Sequence, residues 1–250
     1  MIVDANALFG TWSIRTPGIA DPDQFVREMD AHDIDMSIIV ALSAMVFDTV
    51  TGNEDTIEAC AKHPDRLKGL CVANPKTDLT DPLEQMRRCR DAGLVGLRLS
   101  THHGYSYSDT ALLAPIIDRA AEYAWPVWVS LCVVQSTPHG RQPVTSVAPL
   151  LDAWPEVPFI ITGVSYTDRL EAMRTLGPRP NARMDLATMQ SAFCVDQLCH
   201  DLGAGRIVLG TGFAVNCHSI TLEKVMRAEI SEADRSAILS GTIERLVELG

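Results

Sequence analysis

Seven polar residues stand at or just beyond the ends of short apolar runs: Asn6, Arg98, His102, His103, Ser130, His139 and Asp185. Histidine is the usual general acid–base near neutral pH, so His102 or His103 is a candidate to move a proton. Adjacent histidines rarely point the same way, so at most one of the two faces a shared pocket. The competing role for each is an exposed loop histidine. Arg98 lies within the strand-like run Val95–Ser100, where a charged side chain must find a partner. It forms either an ion pair with Asp4 or Asp185, or a clamp on a substrate carboxylate. Asp185 is a candidate base, and an ion pair is its alternative. Asn6 suits a substrate hydrogen bond. Asp4 reads as a catalytic carboxylate or as a buried one bonded to backbone or to Arg98.

Ser130 and Cys132 flank Leu131 and share one face of a strand by the period of two. A Ser or Cys nucleophile needs a base and an oxyanion hole, and no Gly-x-Ser-x-Gly occurs. A small pocket-lining serine and a buried thiol are the simpler roles. His139 lies with Gly140 and Arg141 in a loop placed to act as a lid. Cys217 and His218 are adjacent, too few to define a soft-metal site.

The elements that must position these groups alternate along the chain. Strand candidates are Met1–Asp4, Met36–Leu42, Leu67–Asn74, Val95–Ser100, Pro126–Cys132, Pro158–Val164, Ala182–Thr188 and Arg206–Phe213. Most are rich in Val, Ile or Leu with little polar alternation, as strands buried on both faces are. Between them run helix candidates: Asp21–His32, Asn53–Lys62, Asp81–Ala92, Asp109–Tyr123, Thr145–Trp154, Asp168–Thr175 and Ala192–Leu202, then Thr221–Ala228 and Ser231–Leu249. Asp21-Pro22 is a cap with a first-turn proline, and Ser231 with Asp234 resembles a capping box. Pro115, Pro149 and Gly241 interrupt the helical patterns. Eight strands alternating with helices in 250 residues predict a single-domain (β/α)8 TIM barrel over residues 1–250. An open doubly wound sheet is the alternative, but neither a Gly-x-Gly-x-x-Gly nor a P-loop is present. In a barrel the ends of the strands build the active site, which is where the polar residues fall.

The formal net charge of −11 repels phosphate backbones, and no Lys/Arg block offsets it, so nucleic acid is excluded as a partner. Seven cysteines in irregular spacing, without a Cys-x-x-Cys pair, point to reduced thiols and a cytoplasmic protein. The first residues lack a basic stretch followed by an apolar one, so no signal peptide is expected. No apolar run nears the roughly 18–20 residues needed to cross a bilayer. The expected partner is a small-molecule substrate, with a homo-oligomer as the default assembly.

Several segments together resemble the amidohydrolase-2 group of the amidohydrolase superfamily, in order and over nearly the whole chain. Asp4-Ala5-Asn6-Ala7-Leu8-Phe9-Gly10 is similar to the group's Asp-x-His-x-His-x-Gly opening. Gly93 through Leu99 resembles its fourth-strand segment, Pro126 through Ser130 its fifth strand and Pro158 through Gly163 its sixth. Arg206-Ile207-Val208-Leu209-Gly210-Thr211-Gly212 matches Arg-Ile-Leu-Phe-Gly-Thr-Asp, and the segment from Ile230 to Arg235, with Arg245-Leu246, resembles the closing helix.

The resemblance implies a barrel with a catalytic metal, yet the positions matching its ligands hold Asn6, Leu8, Ser130, Gly163 and Gly212. The flanking Val129, Leu131, Thr162 and Val164 are no better as ligands. None supplies the imidazole, thiolate or carboxylate that zinc prefers. The expectation is therefore a barrel without metal or other cofactor. Relatives implied by the resemblance are hydrolases and lyases, decarboxylases among them, acting on small carboxylates and lactones. One expectation is acid–base catalysis on a small polar organic acid or activated ester or lactone. His102 or His103 would move the proton, Asp185 could serve as a base, and Asn6, Arg98, Ser130 and His139 would bind substrate. The alternative is a non-catalytic pseudoenzyme that binds a small molecule or protein partner, its pocket plugged by Leu8, Phe9 and Phe213. A third possibility keeps a displaced metal on His102, His103 or His139.

Overall fold

The computed structural model describes residues 1–12, 15–76, 81–132, 141–191 and 193–247. Short runs of Val, Ile and Leu form strands because both faces of each are covered, one by helices and the other by the opposite barrel wall. The strands are β1 (Val3–Trp12), β2 (Arg15–Ile19), β3 (Met36–Ala41), β4 (Leu67–Val72), β5 (Gly96–Ser100), β6 (Val127–Ser130), β7 (Phe159–Thr162), β8 (Ala182–Asp185) and β9 (Ile207–Val208). β1 and β3 to β9 pair in parallel in chain order, while β2 folds back antiparallel on the far end of β1. The ring closes through the segment after β9. Ala5 N donates to Leu209 O (2.7 Å), Gly212 N to Asn6 O (2.7 Å), Ala214 N to Leu8 O (3.1 Å), and Leu8 N to Phe213 O. Eight parallel strands alternating with helices thus make the single-domain (β/α)8 barrel that the alternation predicts.

The strand period of two splits the core. Ile39, Leu97, Val127, Val129, Phe159, Ile161 and Ile207 belong to the outer cluster, which meets the helices. Val3, Ala5, Ile38, Val40, Leu70, Val72, Trp128, Ile160 and Val208 form the inner one, joined by Ile243 from the C-terminal helix Thr242–Val247. Trp128 is the largest fully buried side chain, and its Nε1 donates to Ala5 O at 2.8 Å. A Cβ on Gly96 would lie 2.6 Å from the Trp128 ring, so glycine at this position makes room for the indole.

Local signals held at several helix starts. Asp21 and Asp81 cap Pro22–Asp30 and Pro82–Asp91, accepting from Asp23 N (3.0 Å) and Leu83 N (2.9 Å). Ser231 Oγ accepts from Asp234 N at 3.1 Å. Several elements differ from expectation. β1 runs well past Asp4, because Ala7, Leu8 and Phe9 pair with β3 beyond a break in register, and Ala5, Asn6 and Leu8 bond the segment after β9 on the other side. The apolar run after β3 does not continue as a strand but turns into a helix, Leu42–Val46, whose Leu42, Ala44 and Met45 are buried. Periodicity cannot separate a short buried helix from a strand. The closing helix is also not continuous, since a wider π turn at Ala237–Gly241 divides it. No helix among the described residues is long and apolar enough to cross a membrane.

Trp128 sets the packing of the barrel interior. Trp128→Ala should lower the unfolding free energy by about 3–5 kcal/mol in urea titrations. Trp128→Phe should cost about 1–3 kcal/mol, chiefly through the unpaired carbonyl of Ala5. Equal losses for the two variants would show that volume is not what Trp128 contributes.

Candidate active site

The inward face that holds Trp128 and Ile160 lower in the barrel carries Ser130 and Thr162 one step further along β6 and β7. These two residues are paired across the strands. Asp185 ends β8, and Arg98 points inward from β5. Arg98 is only 2% exposed, and its guanidinium donates to three strands. Nε bonds Ser130 Oγ at 2.7 Å, Nη1 bonds Asn6 Oδ1 at 3.0 Å and Nη2 bonds Thr162 Oγ1 at 3.0 Å. Asn6 passes the chain on, its Nδ2 donating to Asp185 Oδ2 at 2.5 Å. Asp185 Oδ1 is buried and has no partner among the described residues. The close approach depends on Gly210, where a Cβ would lie 2.8 Å from Asp185 Oδ2 and 2.9 Å from Asn6 Cβ.

The electrostatics follow from burial. Loss of water raises the Asp185 carboxyl from its ordinary 3.8 to about 7, against the Asn6 hydrogen bond and the Arg98 charge, which both favour the carboxylate. Burial lowers Arg98 to about 10, which leaves it a cation at neutral pH. Asp4 is equally buried, but its Oδ1 accepts from Asn6 N (3.1 Å) and Thr211 N (2.9 Å), and its Oδ2 from Thr211 Oγ1 (2.5 Å). Burial still raises it to about 6. These bonds make Asp4 a buckle between β1 and the segment after β9. Of the partners expected for it, the backbone is found and Arg98 is not. His218 lies outside the network with Nε2 at 3.6 Å from Asp4 Oδ2 and its ring stacked on Phe213 at 3.8 Å.

The structure brings Asn6, Arg98, Ser130 and Asp185 into one network. Arg98 meets Asp185 through Asn6, and its three direct acceptors are neutral oxygens. His102 and His103 stand in the short turn Thr101–His103 beyond β5, and no hydrogen bond joins them to that network among the described residues. His102 is exposed. His103 Nε2 lies 3.2 Å from Ala44 O, which makes Nε2 the protonated nitrogen of the neutral ring and leaves the buried Nδ1 without a partner among the described residues. Partial loss of water around the rings lowers both histidines from their ordinary value, His102 as well although its side chain reaches solvent. His139 lies outside the described residues. Cys132 Sγ sits 3.6 Å from Gly163 O, and burial pushes its thiol up, away from the reactive thiolate.

Thr162 completes the acceptor set and was not among the candidates. Its residue type carries no signal in the sequence, and it matters through its register opposite Ser130 on the same inward face. Tyr107 was also missed; its hydroxyl donates to Ser130 O at 2.5 Å and supports the end of β6 from behind. Leu8 joins Leu42, Ala44 and Met45 in closing the mouth on the β1 and β3 side. Phe213 is no part of that closure, since its ring packs edge-on against Phe25 at 5.3 Å and flat on His218. Among the described residues, no group of three or more His, Cys, Asp or Glu stands together to hold a metal ion.

Removing the guanidinium should be costly whatever the barrel does. Arg98→Met strands three buried oxygens, so chemical denaturation should show a loss of about 3 kcal/mol or more. Arg98→Lys should recover only part of it, because one ammonium cannot replace a planar fork. The carboxyl shifts also fix a pH dependence. Asp185 and Asp4 keep protons in the native state that the unfolded chain releases above about pH 4. Their contribution is fully present below that pH and is lost as pH rises toward about 7. Asp185 accounts for a loss on the order of 3 kcal/mol, and Asp185→Asn should flatten the fall measured by denaturation across this range.

Solved structures with the same fold cover nearly the whole chain. A probable 2-pyrone-4,6-dicarboxylic acid hydrolase from Acinetobacter baumannii aligns at TM-score 0.73 and 14% identity, covering 99% of each chain. A 2,6-dihydroxybenzoate decarboxylase from Rhizobium aligns at 0.74 and 17%, covering 99% of this chain and 98% of the other. A 5-carboxyvanillate decarboxylase from Novosphingobium aromaticivorans, with bound manganese, aligns at 0.77 and 13%, covering 99% and 97%. No curated protein sequence matches the chain. The amidohydrolase family profile matches residues 17–249, beginning after the Asp4–Gly10 opening. A match over nearly the full barrel places this chain in the amidohydrolase family.

Proposed function

We propose that this barrel is a metal-independent hydrolase or lyase that acts on a small organic acid, or on an activated ester or lactone, by acid–base catalysis. The observation that carries this is the buried Arg98–Asn6–Asp185 network at the strand ends, where the fold builds its active sites. The structural neighbours named above work on small organic acids, which supports the substrate class. Asp185 gives and takes the proton, because burial has brought it to about 7, and acid–base catalysis is most effective near the working pH. Arg98 stabilises negative charge developing on the substrate, while Ser130 and Thr162 hold the guanidinium in place. Asn6 aligns Asp185. His102, His103 and His139 are the secondary proton carriers and binding groups of the loops above.

The donor chemistry at the strand ends supports the metal-free part of this reading. Asn6, Ser130 and Thr162 already give their oxygens to a guanidinium, and a divalent ion beside that cation would be repelled. Leu8 is buried in apolar contacts, and Gly163 and Gly212 have no side chain to offer. Acid–base catalysis contributes about 10²–10⁴-fold, enough for an activated substrate and too little for an unactivated amide without a metal-bound hydroxide. Residence in the cytoplasm and assembly as a homo-oligomer belong to the same reading, and the seven unpaired cysteines suit a reducing compartment.

The near-complete burial of Arg98 and the Leu8, Leu42 and Met45 closure favour a second reading, a pseudoenzyme that binds without turnover. A panel of small carboxylates, β-keto acids, lactones and activated esters, screened for turnover and for thermal shift, separates the two. Turnover that falls roughly 100-fold or more in kcat for Asp185→Asn, with folding intact, is the result expected. Binding without turnover across the panel would favour the pseudoenzyme. Elemental analysis after dialysis should find no stoichiometric divalent metal, and chelators should leave Tm unchanged. One zinc or manganese per chain would overturn the metal-free mechanism.

A further inference from the structure

Which atom of Asp185 exchanges the proton can be read from the polarity of its neighbours. A guanidinium nitrogen can only donate, so the Asn6 atom facing Arg98 Nη1 at 3.0 Å must be the amide oxygen. That fixes the amide against flipping and turns its Nδ2 hydrogens toward Asp185 Oδ2 at 2.5 Å. An oxygen that accepts this hydrogen bond is the poorer place for a proton. The other oxygen, Oδ1, is buried and without a partner among the described residues. Gly210 packs against the carboxyl, with no room for even a methyl group, and so limits its rotation.

We propose that Arg98, acting through Asn6, locks the Asp185 carboxyl in one orientation, with Oδ1 as the proton-exchanging atom of the barrel mouth. This rests on the acid–base reading above and makes Asn6 a positioning residue rather than a substrate contact. As a base, Oδ1 takes a proton from a substrate O–H or C–H, or from water, and Asp185 becomes a neutral acid; the reverse step returns the same proton. The charged and titratable groups facing the carboxyl are Arg98 from β5, Asp4 from β1, Lys224 from the helix His218–Met226, and Cys132 beyond β6. Lys224 is itself tied to the carbonyls of Leu186 and Met189, each at 2.9 Å, in the segment that follows Asp185. Arg98 and Lys224 favour the carboxylate and Asp4 opposes it, while burial is the larger influence.

The test is an NMR titration of the full-length protein carrying ¹³Cγ-aspartate and ¹⁵N, with Asp185 assigned from Asp185→Asn. In the wild type the Asp185 carboxyl and the Asn6 side-chain amide should move together with pH, sharing one midpoint near 7. Asn6→Ala and Asn6→Asp both remove the donor to Oδ2 and should raise the Asp185 midpoint by at least one pH unit. Arg98→Lys should give two sets of Asn6 amide signals, one for each orientation of the freed amide. A wild-type Asn6 amide that ignores the Asp185 titration would overturn the proposal, and this measurement needs no variant to fold. An Asp185 midpoint unmoved in both folded Asn6 variants would do the same. The titration is read without substrate. A barrel that turns nothing over leaves its result standing, and a failed titration leaves acid–base catalysis to the activity screen.

Discussion

A guanidinium buried at the centre of a barrel constrains everything around it. Removing such a cation from water costs several kcal/mol unless its hydrogens find oriented acceptors. Arg98 meets that demand with oxygens from β1, β6 and β7, each within 3.0 Å. The acceptors must sit at matching heights on three strands, so the register of the barrel and the place of Arg98 on β5 are mutually dependent. All three acceptors are neutral, which leaves the positive charge uncancelled by direct contact. The nearest carboxylate in the chain of bonds is reached only through the Asn6 amide.

The two buried aspartates show how donor supply separates a fastener from a reactive group. Asp4 and Asp185 are both fully buried. Asp4 receives three hydrogen bonds, two of them from Thr211, and holds the segment after the last strand against the first strand. Asp185 receives one from Asn6 and keeps an oxygen without a partner among the described residues. Burial acts alike on the two, but fewer donors leave Asp185 the higher, about 7 against about 6. Below this layer apolar side chains pack around Trp128, joined by Ile243 from the C-terminal helix.

Identities of 13–17% to the solved structures speak for the backbone alone. Chemistry in this fold is set by a handful of side chains at the strand ends, and these change without disturbing the alternation of strand and helix that builds the barrel. The family profile begins beyond the first strand, where Asn6 and Leu8 lie. Leu8 enters the apolar closure of the mouth while Asn6 enters the polar network, although only Ala7 separates them.

The sequence by itself determined the fold class, since alternating apolar and amphipathic runs can bury their surfaces in few other ways. It also marked Arg98 as a buried cation in need of partners, and the caps at Asp21 and Asp81 as helix starts, because these are local properties of composition and spacing. Only the tertiary structure decided the partners. Arg98 finds its acceptors 32, 64 and 92 residues away, and Asp4 binds Thr211 at a separation of 207. A closed barrel makes neighbours of strands far apart in the chain, and an arginine or aspartate bears no mark of which strand it will face. Thr162 shows the limit most plainly: as a residue type it promises nothing, and it matters because β7 lies beside β6 in register with Ser130. The helix Leu42–Val46 was hidden for a related reason. Its apolar run fits strand and helix equally, and packing over the barrel mouth chose between them.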